Sequence, residues 1–234
     1  MAKIFAGTSG WAYPSWKPAF YPPKTPSNKF LHYYGTRLNS VELNYTFRRF
    51  PTQKLLAGWI EATPEGFRFS VKAHQNITHV KRLRDIEQFT REFLSALEPL
   101  AEAKKLGTIL FQLPPFLKAD AGLLEAFLAT LPRGICHTFE FRHESWFSEP
   151  IFDLLRRFNV ALCLAESEKL ETPEVQTATF SYFRLRKPEY PPSERRALAE
   201  KLAKLKGDAY VYFKHEETPE GALYAEELLV QTHT

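Results

Sequence analysis

Eight short β-rich runs, each separated from the next by a polar or helix-patterned stretch, constrain this chain of 234 residues more than any other feature of its sequence. The runs are "KIFAG" (3–7), "SVELN" (40–44), "FRFSVKA" (67–73), "GTILFQL" (107–113), "CHTFEFR" (136–142), "VALCLA" (160–165), "FSYFRLR" (180–186) and "AYVYFK" (209–214). Between them apolar residues recur at three- and four-residue spacing, the mark of amphipathic helices. Ile86, Phe89, Phe93, Leu97 and Leu100 follow Asp85, a candidate cap, and Leu123, Leu124, Phe127, Leu128 and Leu131 follow Asp120. Leu198, Leu202 and Leu205 follow Ser193, and Ala222, Ala225, Leu228 and Leu229 close the chain. Strand and helix in alternation predict parallel βαβ units. Eight units of roughly 29 residues predict a closed (β/α)₈ TIM barrel of the α/β class, a fold that takes about 250 residues. No linker or shift of composition divides the chain, so residues 1–234 are expected to form a single domain.

The composition can supply that core: 44% of residues are hydrophobic and 15% aromatic, with 20 Phe. Seventeen Pro against 10 Gly predict firm loops. No apolar run reaches the length of a membrane span, and "MAKIFAGTSGW" enters a strand pattern without the form of a signal peptide. Cys136 and Cys163 lie within strand runs and read as reduced thiols of a cytoplasmic protein. A net charge of +4 fits an anionic small ligand or weak attraction to nucleic acid, and equally an ordinary solubility charge.

Alternation along the strands sorts side chains between the helix layer and the barrel interior. Phe139 and Phe141 then face the helices, which turns Glu140 and Arg142 inward at the strand end. The same parity turns Glu42, Asn44, Ser70, Lys72, Gln112, Arg184, Arg186, Tyr212 and Lys214 inward. In a TIM barrel the C-terminal strand ends carry the site. Two acids against Lys72, Arg142, Arg184, Arg186 and Lys214 make a cationic mouth, and burying that imbalance unpaired would cost several kcal/mol per ion. An anionic ligand is one compensator. Glu144, Glu166, Glu216 and Glu217 in the loops are others, and an ion-paired plug such as Glu140–Arg184 is the structural alternative.

The long first loop carries Trp11, Tyr13, Trp16, Phe20 and Tyr21, either as a stacking wall for a sugar or base or as a cap on the core. Gly7 and Gly10 around Thr8 and Ser9 offer backbone N–H groups to an anion. "ITHVKRLR" (77–84) reads as an extension of an anion-binding surface or as a solvated charge run. No cofactor is expected. A divalent metal held by His143, His215 and the carboxylates of Glu42, Glu140, Glu166 and Glu216 is the alternative those residue types leave open, without the H-x-x-x-H spacing that would support it. A P-loop, a dinucleotide fingerprint and a G-x-S-x-G elbow are absent from the sequence.

In order along the chain, "GTSGWAYPSWKPAFYP", "FLHYYGTRLNSVELNYTFRRFP", "FRFSVKAHQNITHVKRL", "LGTILFQLPPF" and "FEFRHESW" resemble the YecE-like family, also called domain of unknown function 72. "SYFRLRKPEY" and "YVYFKHEETPEGALYAEEL" extend the resemblance to nearly the whole chain. The resemblance implies a TIM barrel and no established activity. Its motif positions fall on Glu42, Asn44, Lys72, Gln112, Glu140, Arg142, His143 and Trp146. Where relatives commonly carry Asp after the sixth strand, this chain has Glu166. It has "RLR" in place of Arg-Leu-His-Gly on the seventh strand, and Phe213-Lys214-His215 in place of Phe-Asn-Asn on the eighth.

Three functions are compatible with these residues. The first is an enzyme acting on a small anionic, hydroxyl-rich metabolite such as a sugar phosphate or sugar acid. Glu140, Glu42 or Lys72 would do its acid/base work. Arg142, Arg184, Arg186 and Lys214 would bind the ligand, with Thr8, Asn44, Gln112 and His143, and Trp11, Trp16 and Trp146 at the rim. The second is a metal-dependent nucleic-acid-binding or repair-like barrel, the third a sensor with the same pocket and no turnover. No membrane partner is expected, and the sequence leaves the oligomeric state open.

Overall fold

The computed structural model describes residues 2–232. Its strands are β1 (Ile4–Thr8), β2 (Ser40–Leu43), β3 (Arg68–Lys72), β4 (Leu106–Gln112), β5 (Cys136–Glu140), β6 (Ala161–Ala165), β7 (Ser181–Leu185) and β8 (Ala209–Phe213). The helices are α1 (Phe30–Arg37), α2 (Gln53–Ala62), α3 (Glu87–Ser95), α4 (Glu98–Glu102), α5 (Ala121–Ala129), α6 (Glu149–Phe158), α7 (Pro192–Ala203) and α8 (Glu220–Thr232). The eight strands form one parallel sheet in the order β1-β8-β7-β6-β5-β4-β3-β2. Its free edges, β1 and β2, meet across a seam. Ser9 bridges to Glu42 there, and the Asn39 amide accepts from Ala6 N (2.9 Å) and donates to Ile4 O (2.8 Å). The result is a nearly closed (β/α)₈ barrel, and every predicted strand lies within two residues of an observed one.

The period of two divides the interior into two cores. Val41, Leu43, Phe69, Val71, Phe111, Phe139, Phe141, Phe183, Leu185, Val211 and Phe213 face the helices. Phe5, Leu110, Cys163, Tyr182, Tyr210 and Tyr212 fill the barrel itself. Burying each large apolar side chain stabilises the fold by about 1.5–3 kcal/mol, so a one-residue slip of any strand would forfeit several such terms at once.

Helix starts follow local chemistry unevenly. Asp120 caps α5 as expected, its side chain accepting from Leu123 N at 2.9 Å. Asp85 does not cap. Its backbone is left-handed (φ 45°), and the single helix expected from there to Leu100 is two pieces, α3 and α4, that break at Leu97. Between β6 and β7 the chain forms no α-helix.

The first-loop aromatics close over the helix-facing core. Trp16, Phe20 and Tyr21 are fully buried, and Tyr21 stacks on Phe30 at 4.2 Å between ring centroids. Trp146 is likewise buried. It stacks on Phe141 at 4.6 Å and donates Nε1–H to Leu117 O at 2.8 Å. Cys136 and Cys163 are free thiols, Cys163 buried. Among the described residues no helix is long and apolar enough to cross a membrane.

Candidate functional site

At the C-terminal ends of the strands, Arg184 from β7 lies between Glu42 from β2 and Glu140 from β5. Its Nη2–H donates to Glu42 Oε1 at 2.7 Å and its Nη1–H to Glu140 Oε2 at 2.6 Å. All three side chains are no more than 3% exposed. Glu42 also accepts from Ser9 Oγ (2.7 Å) and Tyr182 Oη (2.6 Å). Glu140 accepts from Gln112 Nε2 (2.9 Å), its register partner on β4, and from Arg186 Nη2 (3.1 Å). Each carboxylate therefore receives at least three donors, which is what makes a charge tolerable at this depth. Burial alone would raise both acids. For Glu140 the guanidinium groups of Arg184 and Arg186 more than reverse this and bring it down to about 2. For Glu42 the Arg184 charge and the donated hydrogen bonds likewise hold it below the ordinary carboxylate range.

The expected ion-paired plug thus exists, and it forms the floor of a pocket rather than filling it. Above lies a cavity of about 530 Å³ walled by Lys72, Gln112, Arg142, Arg184, Arg186 and Lys214, as parity expected, with Asn44. Tyr45, Phe47, Arg48, Arg49 and Glu216 complete it. A neighbouring cavity of about 330 Å³ shares Arg142 and Arg186 and adds Glu140, His143 and Glu144. Seven basic side chains converge on the larger cavity, against Glu216 in the wall and the two acids below. Arg184 Nε and Arg186 Nε are buried without any acceptor. Lys72 Nζ stands 4.2 Å from the Phe47 ring centroid and pairs with no carboxylate. Burial, helped by the Arg184 charge, lowers it to about 8, and Glu42 and Glu140 only partly oppose this.

Several sequence expectations are corrected here. Trp16 and Trp146 are core residues and not rim residues, because stacking on neighbouring aromatics buries them completely. Trp11 packs edge-on against Trp59 and lines neither cavity. Thr8 is buried at the seam, donating Oγ1–H to Gly10 O at 2.7 Å, and offers nothing to a ligand. Glu166 does not neutralise the mouth. It accepts from Arg186 N (2.7 Å) and the Tyr190 hydroxyl, fixing the turn after β7. His215 is turned toward Pro188 O, and among the described residues no group of three His, Cys, Asp or Glu side chains is arranged to hold a metal. Of the acids proposed for a metal, Glu42 and Glu140 are taken by Arg184 and Glu166 by Arg186 N and Tyr190.

Reasoning from sequence missed Tyr182 and Ser9 as partners of Glu42, and Arg48 and Arg49 as wall residues. "NYTFRRF" directly after the second strand was the available signal for the arginines.

Residues 5–234 match the family model described as "Protein of unknown function DUF72". The chain belongs to the DUF72 family. It is 32% identical over 157 residues to the UPF0759 protein YunF of Bacillus subtilis (strain 168), covering 64% of this chain and 54% of that one. It is 30% identical over 147 residues to the UPF0759 protein YecE of Escherichia coli (strain K12), covering 62% and 51%. The chain spans about half the length of the curated relatives it matches. A DUF72 family protein from Thermotoga maritima MSB8 superposes with a TM-score of 0.87 at 26% identity, covering 99% of this chain and 100% of the other. An AP endonuclease, family 2, from Brucella melitensis superposes with a TM-score of 0.58 at 12% identity over 96% of each chain, a likeness of fold alone.

Proposed function

We propose that this DUF72 protein is an enzyme acting on a small anionic, hydroxyl-rich metabolite, such as a sugar phosphate or sugar acid, at the C-terminal mouth of the barrel. The observation that carries this reading is the cationic excess of the larger cavity above a floor in which Arg184 and Arg186 already balance the two acids. Arg142, Arg186 and Lys214 are placed to take the anion, since guanidinium groups suit bidentate contact with carboxylate or phosphate. Glu42 and Glu140, expected as acid/base groups, stay ionised through the neutral range and serve to aim Arg184. Lys72, titrating near 8 in contact with the cavity, is the better proton carrier.

A nucleic-acid reading has the fold likeness to the AP endonuclease in its favour and, among the described residues, no donor set for a catalytic metal. Salt-dependent DNA binding tests it.

Thermal melts in phosphate, sulfate and chloride at matched ionic strength test the proposal. Binding to the folded state alone stabilises by about 2.7 kcal/mol when the anion is at a hundredfold its dissociation constant. The multivalent anions should raise Tm over chloride in the wild type and lose that advantage in Arg142→Ala, an exposed residue the fold does not need. Equal melts in all three salts overturn it.

A further inference from the structure

Two lysines of this chain have withdrawn from water in different ways. Lys105, 7% exposed, donates to Ile60 O (2.7 Å), Thr63 O (2.6 Å) and Thr63 Oγ1 (2.9 Å), so its charge is fully solvated by protein oxygen. Lys72 is half-buried at the end of β3, its carbonyl pinned by Thr46 Oγ1 at 2.7 Å, and its amine has a ring face and no oxygen acceptor. The other basic groups that strands β7 and β8 bring to the mouth are engaged. Arg184 and Arg186 bind the buried acids, and Lys214 lies 3.8 Å from Glu216. Lys72 therefore presents an amine to the cavity. Although the Phe47 face favours its ammonium, burial and the charges of Arg184 and Arg186 outweigh that and favour the neutral form, which is how a lysine becomes a nucleophile.

We propose that Lys72 is an imine-forming residue that condenses with an aldehyde or ketone whose own anionic group is held by the guanidinium groups around it. This rests on the anion-binding reading of the mouth and adds a carbonyl to the ligand. The Nζ lone pair attacks the carbonyl carbon, the C=O π pair moves to oxygen, and a proton passes from nitrogen to that oxygen. The carbinolamine then expels its hydroxyl as water after a second proton is delivered, leaving a protonated C=N bond. Nothing is oxidised or reduced, and water reverses the step. The charged groups around Lys72 are Glu42 from β2, Glu140 from β5, Arg184 and Arg186 from β7 and its end, and His79 from the loop after β3, with Arg48, Arg49, Arg142, Lys214 and Glu216 on the walls of the same cavity. The arginines and burial favour the neutral amine while the acids oppose it, and the balance brings the amine down to about 8. The reactive fraction should therefore rise with pH through that value.

Pyridoxal 5′-phosphate, an aldehyde with a phosphate, is the probe, followed by borohydride reduction and peptide mass mapping. The expected result is one phosphopyridoxyl group on Lys72, half-maximal near pH 8, competed by inorganic phosphate. Pyridoxal without the phosphate should react about tenfold less, the worth of a charge-assisted contact. Lys72→Arg should abolish the adduct with an unchanged circular dichroism spectrum. Because the adduct is mapped in the wild type, the outcome does not depend on that variant folding. Labelling spread over surface lysines, or phosphate-stabilised melts with no adduct on Lys72, overturns imine formation while leaving anion binding intact. An adduct on Lys72 that forms equally with pyridoxal overturns the anionic ligand, and with it the reading of the mouth.

Discussion

The Glu42–Arg184–Glu140 cluster is expensive to assemble and more expensive to break. Three ions leave water together, and their mutual attraction compensates only because Ser9, Tyr182, Gln112 and Arg186 supply the remaining donors. Arg184→Met leaves Glu42 buried without a cation and Glu140 with Arg186 alone, and should lower unfolding free energy by about 3–5 kcal/mol in urea titrations. An unchanged midpoint would mean that the charges are better hydrated than their burial indicates. The pH dependence has a definite sign. Glu140 falls from an ordinary value of 4.5 to about 2 in the folded protein, so the unfolded chain binds its proton first as pH drops. Its contribution is complete above about pH 4.5 and is lost as pH falls toward 2, with stability rising with pH across that window. Equilibrium unfolding of Glu140→Gln against wild type between those limits should show the wild-type slope reduced. Parity predicted that these three residues would face inward. That Arg184 would span both acids depended on side chains from strands 44 and 142 residues apart in sequence.

Helices in this barrel are held by contacts of two ranges, and only the short-range ones are legible locally. Asp120 caps α5 by accepting from Leu123 N three residues on, so Asp120→Ala should cost about 1 kcal/mol, read as a shift of denaturation midpoint without a change in slope. Its exposed pairing with Arg84 at 3.2 Å adds little to that figure. A loss near zero would assign the helix start to packing alone. The other end of α2 shows the long-range case. Its last carbonyls are satisfied by the Lys105 ammonium, 42 and 45 residues away, which no helix-end pattern in "EATPEGF" announces. Asp85 fails as a cap. Leu83 is buried to 3% exposure with φ 70°, Asp85 is itself left-handed, and the N-cap of α3 falls on Ile86, one residue past Asp85.

Closing the barrel depends on one place where two backbones nearly touch. A Cβ at Gly7 would lie 1.8 Å from Ser40 O and 2.5 Å from Tyr34 Oη. Gly7→Ala must therefore push β1 from β2, and with them Ser9 from Glu42. It should cost about 3 kcal/mol or more in chemical unfolding, and a fully stable variant would show the seam to be looser than its geometry. The repeating alternation of strand and helix, and the period of two within strands, were readable in one dimension because both follow from neighbours a few residues apart. They determined the eight-stranded barrel, the two cores and which strand residues turn toward the mouth. Tertiary structure decided which charges cancel: Arg184 and Arg186 together balance the two acids of the floor and the excess lies above it, because pairing depends on distances across the barrel. It also decided the fate of the aromatics. Trp16 and Trp146 read as rim residues in a string of loop letters, but a ring that finds another ring to cover it leaves the water. Lys72 became distinct only when the fold set its amine in the wall of the mouth cavity, beside Phe47 and the guanidinium groups of Arg184 and Arg186.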